Sequence, residues 1–283
     1  MNRTVFVNGE YLPEDQAKVS IFDRGFLMAD AVYEVVSVMD GKLLEFAGHL
    51  KRLERSLNEL NMAKPKDFDN LLEIHRELVS RNNVVEGGIY LQVTRGVADR
   101  DFVFPENAEP TLVMFSQERP IIESVAAKNG MKVISVEDLR WGRRDIKTVQ
   151  LLYPSMAKMM AKEAGVDDAW LVEDGFVTEG TSNNAYIIKD GKIITRSLSH
   201  DILHGITRAS ILRYAAEAQM VVEERNFTIA EAQNADEAFI SSASAFVTSV
   251  IEVDGEKLGD GTPGPVAKRL REIYIEESRK AAI

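Results

Sequence analysis

Four short stretches hold the residues best suited to covalent or anion-binding chemistry. Lys147 stands in Arg143-Arg144-Asp145-Ile146-Lys147-Thr148. Neighbouring cations and burial both favour the neutral amine of a lysine, the form that attacks a carbonyl to give a Schiff base; the same run also fits a solvated basic stretch. Glu179 lies in the turn-rich Thr178-Glu179-Gly180-Thr181-Ser182-Asn183-Asn184, a composition that expects an exposed turn acid. Gly205-Ile206-Thr207-Arg208 opens a helical segment. Backbone N–H groups and the Thr207 hydroxyl there can hold a phosphate at a helix N-terminus, or Thr207 can simply cap the helix. Ser241-Ser242-Ala243-Ser244 follows a strand-like run; it can offer further donors to the same anion or form a small-residue turn.

Other chemistries are narrowed by what is missing. The 283 residues include no cysteine, which removes disulfides, thiolate metal sites and a thiol nucleophile. His200 and His204 are four apart but have no evident third partner, so no metal is expected. Neither G-x-G-x-x-G nor G-x-x-x-x-G-K-[ST] occurs, against the usual dinucleotide and nucleoside-triphosphate sites. A net charge of −11 repels nucleic acid and anionic membranes. With no signal-peptide core and no apolar run of about 20 residues, a cytoplasmic location is expected.

The elements that must position these residues show in periodicity and turn signals. Asn8-Gly9 and Asp40-Gly41 predict hairpins within Thr4–Tyr11 and Val32–Phe46. Leu50, Leu53, Leu57 and Leu60 predict an amphipathic helix over His49–Leu60, with Lys51, Arg52, Glu54 and Arg55 largely on other faces. A helix over Phe68–Asn82 and strands over Ile89–Thr94 and Thr111–Ser116 follow, the strands separated by a long loop, Arg95–Pro110. Beyond Pro120, strands alternate with helices over Tyr153–Ala164, Thr207–Ala218 and Gly264–Lys280, with Asp-Gly turns at Asp174 and Asp190. Thr228 and Glu231 form a capping box, and Met156, Met159 and Met160 read as core packing. The fold class is therefore mixed α/β in two domains. Residues 1–118 make a smaller N-terminal domain, 119–124 a linker, and 125–283 a larger C-terminal domain carrying Lys147.

From Glu179 the chain reads Glu-x-Thr-x-x-Asn-Ala-Tyr, then six residues, Ile193-x-Thr195, seven more, and Leu203-x-Gly205-Ile206-x-Arg208. This resembles the signature of the class IV (fold type IV) pyridoxal-phosphate aminotransferases. Asp23-Arg24-Gly25, Tyr33-Glu34, His49-x-x-Arg52-Leu53, Val93-Thr94-Arg95-Gly96, Phe104-Pro105-Glu106 and Asp145-Ile146-Lys147 extend the likeness over nearly the whole chain. Within the family it looks most like the D-amino-acid transaminases. The resemblance implies the two-domain fold type IV architecture, pyridoxal 5'-phosphate as cofactor, and Lys147 as both Schiff-base anchor and proton shuttle. It also implies Glu179 beside the pyridine nitrogen, keeping it protonated. Arg52, Ile206, Thr207, Ser242 and Ala243 would surround the phosphate, Ala243 with its backbone N–H where a relative has a threonine hydroxyl.

Tyr33 and Arg100 would bind the substrate carboxylate, the Arg95–Pro110 loop reaching over from a second subunit, so a homodimer is implied. Phe102 stands where D-amino-acid transaminases can carry a histidine; it removes a donor and adds apolar bulk. The resemblance thus implies transamination between a D-amino acid, such as D-alanine or D-glutamate, and a 2-oxo acid. The alternatives are a branched-chain L-amino-acid aminotransferase, an (R)-amine transaminase and 4-amino-4-deoxychorismate lyase.

Overall fold

The computed structural model describes residues 3–283; Met1 and Asn2, at the head of the expected first domain, lie outside the described residues. The chain divides into two compact units. One takes the residues up to Pro120 with 146–150 and 281–283; the other takes 121–145 and 151–280.

The first unit contains β1 (Thr4–Val7), β2 (Glu10–Pro13), α1 (Arg24–Met28), β3 (Ala31–Met39), β4 (Lys42–Leu43), α2 (Phe46–Glu59), α3 (Leu71–Arg81), β5 (Glu86–Thr94) and β6 (Thr111–Glu118). Its strands form an antiparallel sheet in the order β2-β1-β6-β5-β3-β4. Val36, Val38, Ile89, Leu91 and Val93 of the sheet are buried together with Leu53, Leu57 and Leu78 of the helices, the apolar burial that drives this half to fold. On α2 the buried stripe comprises Phe46, His49, Arg52, Leu53, Ser56 and Leu57. The helix forms as expected, but Arg52 lies on its inner face because a buried acid waits for it there.

The segment 146–150, with Lys147, groups with the first unit. It pairs with β3: the Tyr33 N–H donates to the Lys147 carbonyl at 3.0 Å, the Val149 N–H to the Ala31 carbonyl at 3.1 Å, and Val32 bridges Thr148. A pairing between segments so distant in sequence leaves no periodic signal. Ile121 is fully buried, and the Ser124 hydroxyl accepts the Ala127 N–H to cap α4 (Val125–Asn129).

The second unit continues with β7 (Met131–Glu137), α5 (Leu152–Glu163), β8 (Asp168–Glu173), β9 (Phe176–Gly180), β10 (Asn184–Lys189), β11 (Lys192–Thr195), α6 (Ile206–Glu217), β12 (Val221–Glu224), α7 (Ile229–Gln233), β13 (Glu237–Ser242), β14 (Phe246–Val253), β15 (Glu256–Lys257) and α8 (Pro265–Ala281). The sheet runs β12-β11-β10-β13-β14-β7-β8-β9, with β15 on β14. It is mixed: β7 lies parallel to both β14 and β8. Its core includes Val133, Trp170, Val177, Ile187, Phe227, Ile240 and Val250.

The Asn-Gly and Asp-Gly turns behave as their chemistry requires. Asn8-Gly9, Asp40-Gly41, Asp174-Gly175 and Asp190-Gly191 all have positive φ at both residues, the I′ geometry that matches strand twist. Asp254-Gly255 makes a further one between β14 and β15. The methionines of α5 do not behave as expected. Met156, Met159 and Met160 are 48%, 50% and 41% exposed, because the helix sits on its small residues: Ala157 and Ala161 pack against Ala169 and Leu171 of β8. Among the described residues no helix is long and apolar enough to cross a membrane.

Candidate active site

In the first unit, Lys147 is half-buried and its Nζ lies 4.2 Å from the centroid of the Tyr33 ring. That ring stacks on Tyr90 at 5.6 Å, which in turn stacks on Phe115 at 4.8 Å. The lysine thus stands over an aromatic row fixed by β3, β5 and β6. Tyr33 and Glu34, as neighbours on a strand, project to opposite faces. Glu34 is buried and takes both Nε and Nη2 of Arg52 at 2.7 Å, with His49 Nδ1 also at 2.7 Å. Burial alone would raise this carboxyl, but the charge and hydrogen bonds of Arg52, helped by His49, hold it at about 2.

In the second unit, Glu179 closes β9 and is only 4% exposed. It is a buried strand residue, not the exposed turn acid that composition expects. Its Oε1 accepts Arg140 Nη1 at 2.6 Å; its Oε2 accepts Asn184 Nδ2 at 3.0 Å and the Leu203 N–H at 3.1 Å. Burial raises the Glu179 carboxyl above its ordinary value, while Arg140 and the Leu203 N–H pull against that rise. Arg140 is anchored in turn by Asp138, through Nε at 2.9 Å and Nη2 at 2.7 Å, and Asp138 accepts the Thr178 hydroxyl at 2.7 Å. The arginines before Lys147 are therefore paired with acids: Arg140 with Asp138 and Glu179, Arg143 with Asp145, and Arg144 with Glu173. Each arginine of this stretch is thus met by an acid.

Asn184 ties this acid to the head of α6. Besides Glu179, its Nδ2 donates to the Leu203 carbonyl at 3.1 Å. A Cβ added at Gly205 would stand 2.2 Å from Asn184 Oδ1, so only glycine allows this approach. Gly205 is the N-cap of α6, with no side-chain hydrogen bond to the helix. Thr207, buried in the first turn, is thus not the cap. Asn184 also pairs in register with Ser241 on β13, whose hydroxyl bonds Tyr186 Oη at 2.7 Å. This brings Ser242 and Ala243 to the same end of the sheet as Glu179, Ile206 and Thr207.

Arg100 is exposed in the long loop of the first unit, its guanidinium 5.4 Å from the Phe102 ring. The loop's base is built firmly. Arg24 and Arg95 both donate to Asp30 Oδ2 at 2.7 Å, Arg24 Nη1 reaches the Asp101 carbonyl at 2.7 Å, and Arg95 lies over Phe104 at 3.6 Å. Phe102 itself is 77% exposed.

Residues 31–253 match the family described as amino-transferase class IV. A D-alanine aminotransferase of Staphylococcus haemolyticus is 41% identical over 278 residues, covering 96% of this chain and 98% of that one. The chain belongs to the class IV aminotransferases. The fold agrees: the branched-chain amino acid aminotransferase of Escherichia coli superposes with a TM-score of 0.90 at 22% identity, over 98% of this chain and 94% of that one. The T.th. branched-chain amino acid aminotransferase solved with pyridoxamine 5'-phosphate also gives 0.90, at 28% identity and the same coverage.

A class IV aminotransferase works with pyridoxal 5'-phosphate, and the donor set fits that group. The twelve-residue α6 offers uncapped N–H groups at its head, the positive end that suits a phosphate. The buried Glu179 suits a protonated ring nitrogen. Arg52 belongs to the first unit. Paired with Glu34 it forms a neutral couple, so its pull on a dianion is weaker than that of a lone guanidinium. Sequence reasoning missed Arg140, Asp138 and Asn184 as partners of Glu179. Asn184 stood in the family pattern without a role; for Asp138 and Arg140 nothing in the local sequence marks the pairing.

Proposed function

We propose that this aminotransferase transfers an amino group between a D-amino acid and a 2-oxo acid. The observation that carries the reading is the 41% identity to a D-alanine aminotransferase over nearly the full length of both chains, against 28% or less for the branched-chain relatives named above. Bound pyridoxal phosphate supplies a carbonyl that receives amines and a ring that takes up the electron pair released at the substrate α-carbon. Lys147 Nζ would be the covalent anchor of that group and would move the proton at the substrate α-carbon. Glu179 holds a proton at the ring nitrogen, with Arg140 opposing the rise that burial imposes on its carboxyl. The N–H groups at Ile206 and Thr207, with Ser242, the Ala243 backbone and Arg52, hold the phosphate.

Tyr33 and Arg100 bind the substrate carboxylate, Arg100 from the loop of a second copy. A homodimer is supported by the apolar surface around that loop, where Ile21, Phe22, Phe26, Val97, Phe102 and Val103 are exposed. The absence of an apolar spanning helix among the described residues is in keeping with a cytoplasmic enzyme. Purified protein given D-alanine and 2-oxoglutarate should produce pyruvate. Amino transfer confined to L-leucine or L-valine, or to (R)-phenylethylamine, or release of 4-aminobenzoate from 4-amino-4-deoxychorismate, would replace this reading.

A further inference from the structure

A buried carboxylate that the proposed reaction does not use lies behind the turn that follows Glu179. Asp168, the first residue of β8, is 1% exposed. Its Oδ1 accepts the Thr181 hydroxyl at 2.6 Å, the Ala169 N–H at 2.9 Å and Lys158 Nζ at 3.1 Å; its Oδ2 accepts Asn183 Nδ2 at 2.7 Å. An ion so buried is tolerated only when its lone pairs are filled. Two of the donors come from the three-residue turn, Thr181 to Asn183, that joins β9 to β10.

The turn is tight. The Gly180 N–H donates to the Asn183 carbonyl at 2.8 Å, and a Cβ at Gly180 would stand 2.2 Å from Asn183 Oδ1. That oxygen is buried without a hydrogen-bond partner, so the amide's orientation is decided by its other end, on Asp168. Reversing it would set oxygen against oxygen. The next residue, Asn184, grips Glu179 Oε2. A continuous path of bonds therefore runs from Asp168 through Asn183 and Asn184 to the Glu179 carboxylate.

We propose that Asp168 is a positioning residue: by clamping Thr181 and Asn183 it fixes the turn, so that Asn184 keeps Glu179 in one orientation. This rests on the reading of Glu179 as the partner of the cofactor's ring nitrogen. A carboxylate is needed because it only accepts. The amide of Asp168→Asn fills one of the two acceptor positions with an NH2 group, placing donor against donor at the Ala169 N–H and Lys158 Nζ or at Asn183 Nδ2.

The test compares the holoenzyme with its Asp168→Asn, Thr181→Val and Lys158→Met variants by amide hydrogen exchange, by pH titration of the bound cofactor's absorbance, and by steady-state kinetics. In Asp168→Asn the peptide covering 178–186 should exchange about tenfold faster or more. The absorbance titration should move by about one pH unit, and kcat should fall about tenfold with KM changed less than about threefold. Thr181→Val should shift all three in the same direction by less, and carries the test if Asp168→Asn does not fold. Lys158→Met, at a half-exposed side chain, should stay within about twofold of the unmodified enzyme. Wild-type exchange in Asp168→Asn, or a lowered melting temperature with titration and kcat unchanged, overturns the proposal. A wild-type protein with no cofactor absorbance would instead overturn the reading of Glu179, while the exchange comparison would still decide whether Asp168 holds the turn.

Discussion

Arg140 places Nη1 2.6 Å from Glu179 Oε1 while its Nε and Nη2 grip Asp138. One guanidinium thus serves two buried acids, and the acid proposed to face the cofactor has its main counterweight to burial in a residue some forty positions earlier. Substituting Arg140→Met leaves both carboxylates buried without their shared cation, a loss of about 3–5 kcal/mol. The melting temperature should drop by about 10 °C, and the Glu179 carboxyl should rise further, since its main counterweight to burial is gone. Arg140→Lys keeps the charge but not the fork and should fall between. Thermal unfolding and the pH titration of cofactor absorbance measure both effects; unchanged values in Arg140→Met would refute the pairing.

Acid sensitivity should come in two steps from the first unit. Burial holds the His75 imidazole down at about 4, against 6.5 in an unfolded chain, despite its bond to the Leu71 carbonyl. Its neutral form contributes stability fully above pH 6.5, and this is lost as pH falls from 6.5 to about 4, because the unfolded chain takes up the proton first. Glu34, held at about 2 against 4.5, adds a second loss between those values. Each is worth roughly 3 kcal/mol. Urea unfolding of His75→Phe should show a flattened dependence between pH 6.5 and 4, with the loss below pH 4.5 retained; an unaltered curve would count against the burial of a neutral imidazole.

Phe102 is the substitution most open to a gain. Its ring is largely exposed beside Arg100 and supplies no hydrogen-bond donor. Phe102→His should lower KM for 2-oxoglutarate by about threefold to tenfold through an added donor to a carboxylate, with little change in kcat. A raised KM would mean that the apolar ring itself contributes to substrate binding.

Much of the fold was legible because its signals are local. The turn glycines with their Asn or Asp partners, the leucine stripe of α2 and the β-branched runs each report on a few neighbouring residues. What escaped depends on partners distant in the chain. Lys147 joins β3 through backbone bonds to Ala31 and Tyr33, which no side-chain pattern announces. Arg52 lies on the inner face of α2 only because Glu34 meets it, and the methionines of α5 are outside because Ala157 and Ala161 give closer contact. At the candidate site, composition alone makes Glu179 an exposed turn acid; the family resemblance gives it a role, but not the three donors that surround it. The residues of the family pattern were visible, Asn184 among them without its role; Arg140 and Asp168, which also hold the site, were not.

The claim on which the account turns is that Lys147 carries the cofactor. Borohydride reduction of the purified yellow protein, followed by peptide mass spectrometry, fixes the cofactor to whichever amine bears it. If Lys147 is the anchor, the phosphopyridoxyl group appears on the peptide containing Lys147, and none is bound after Lys147→Ala. Label on another lysine, or its persistence in Lys147→Ala, would contradict it.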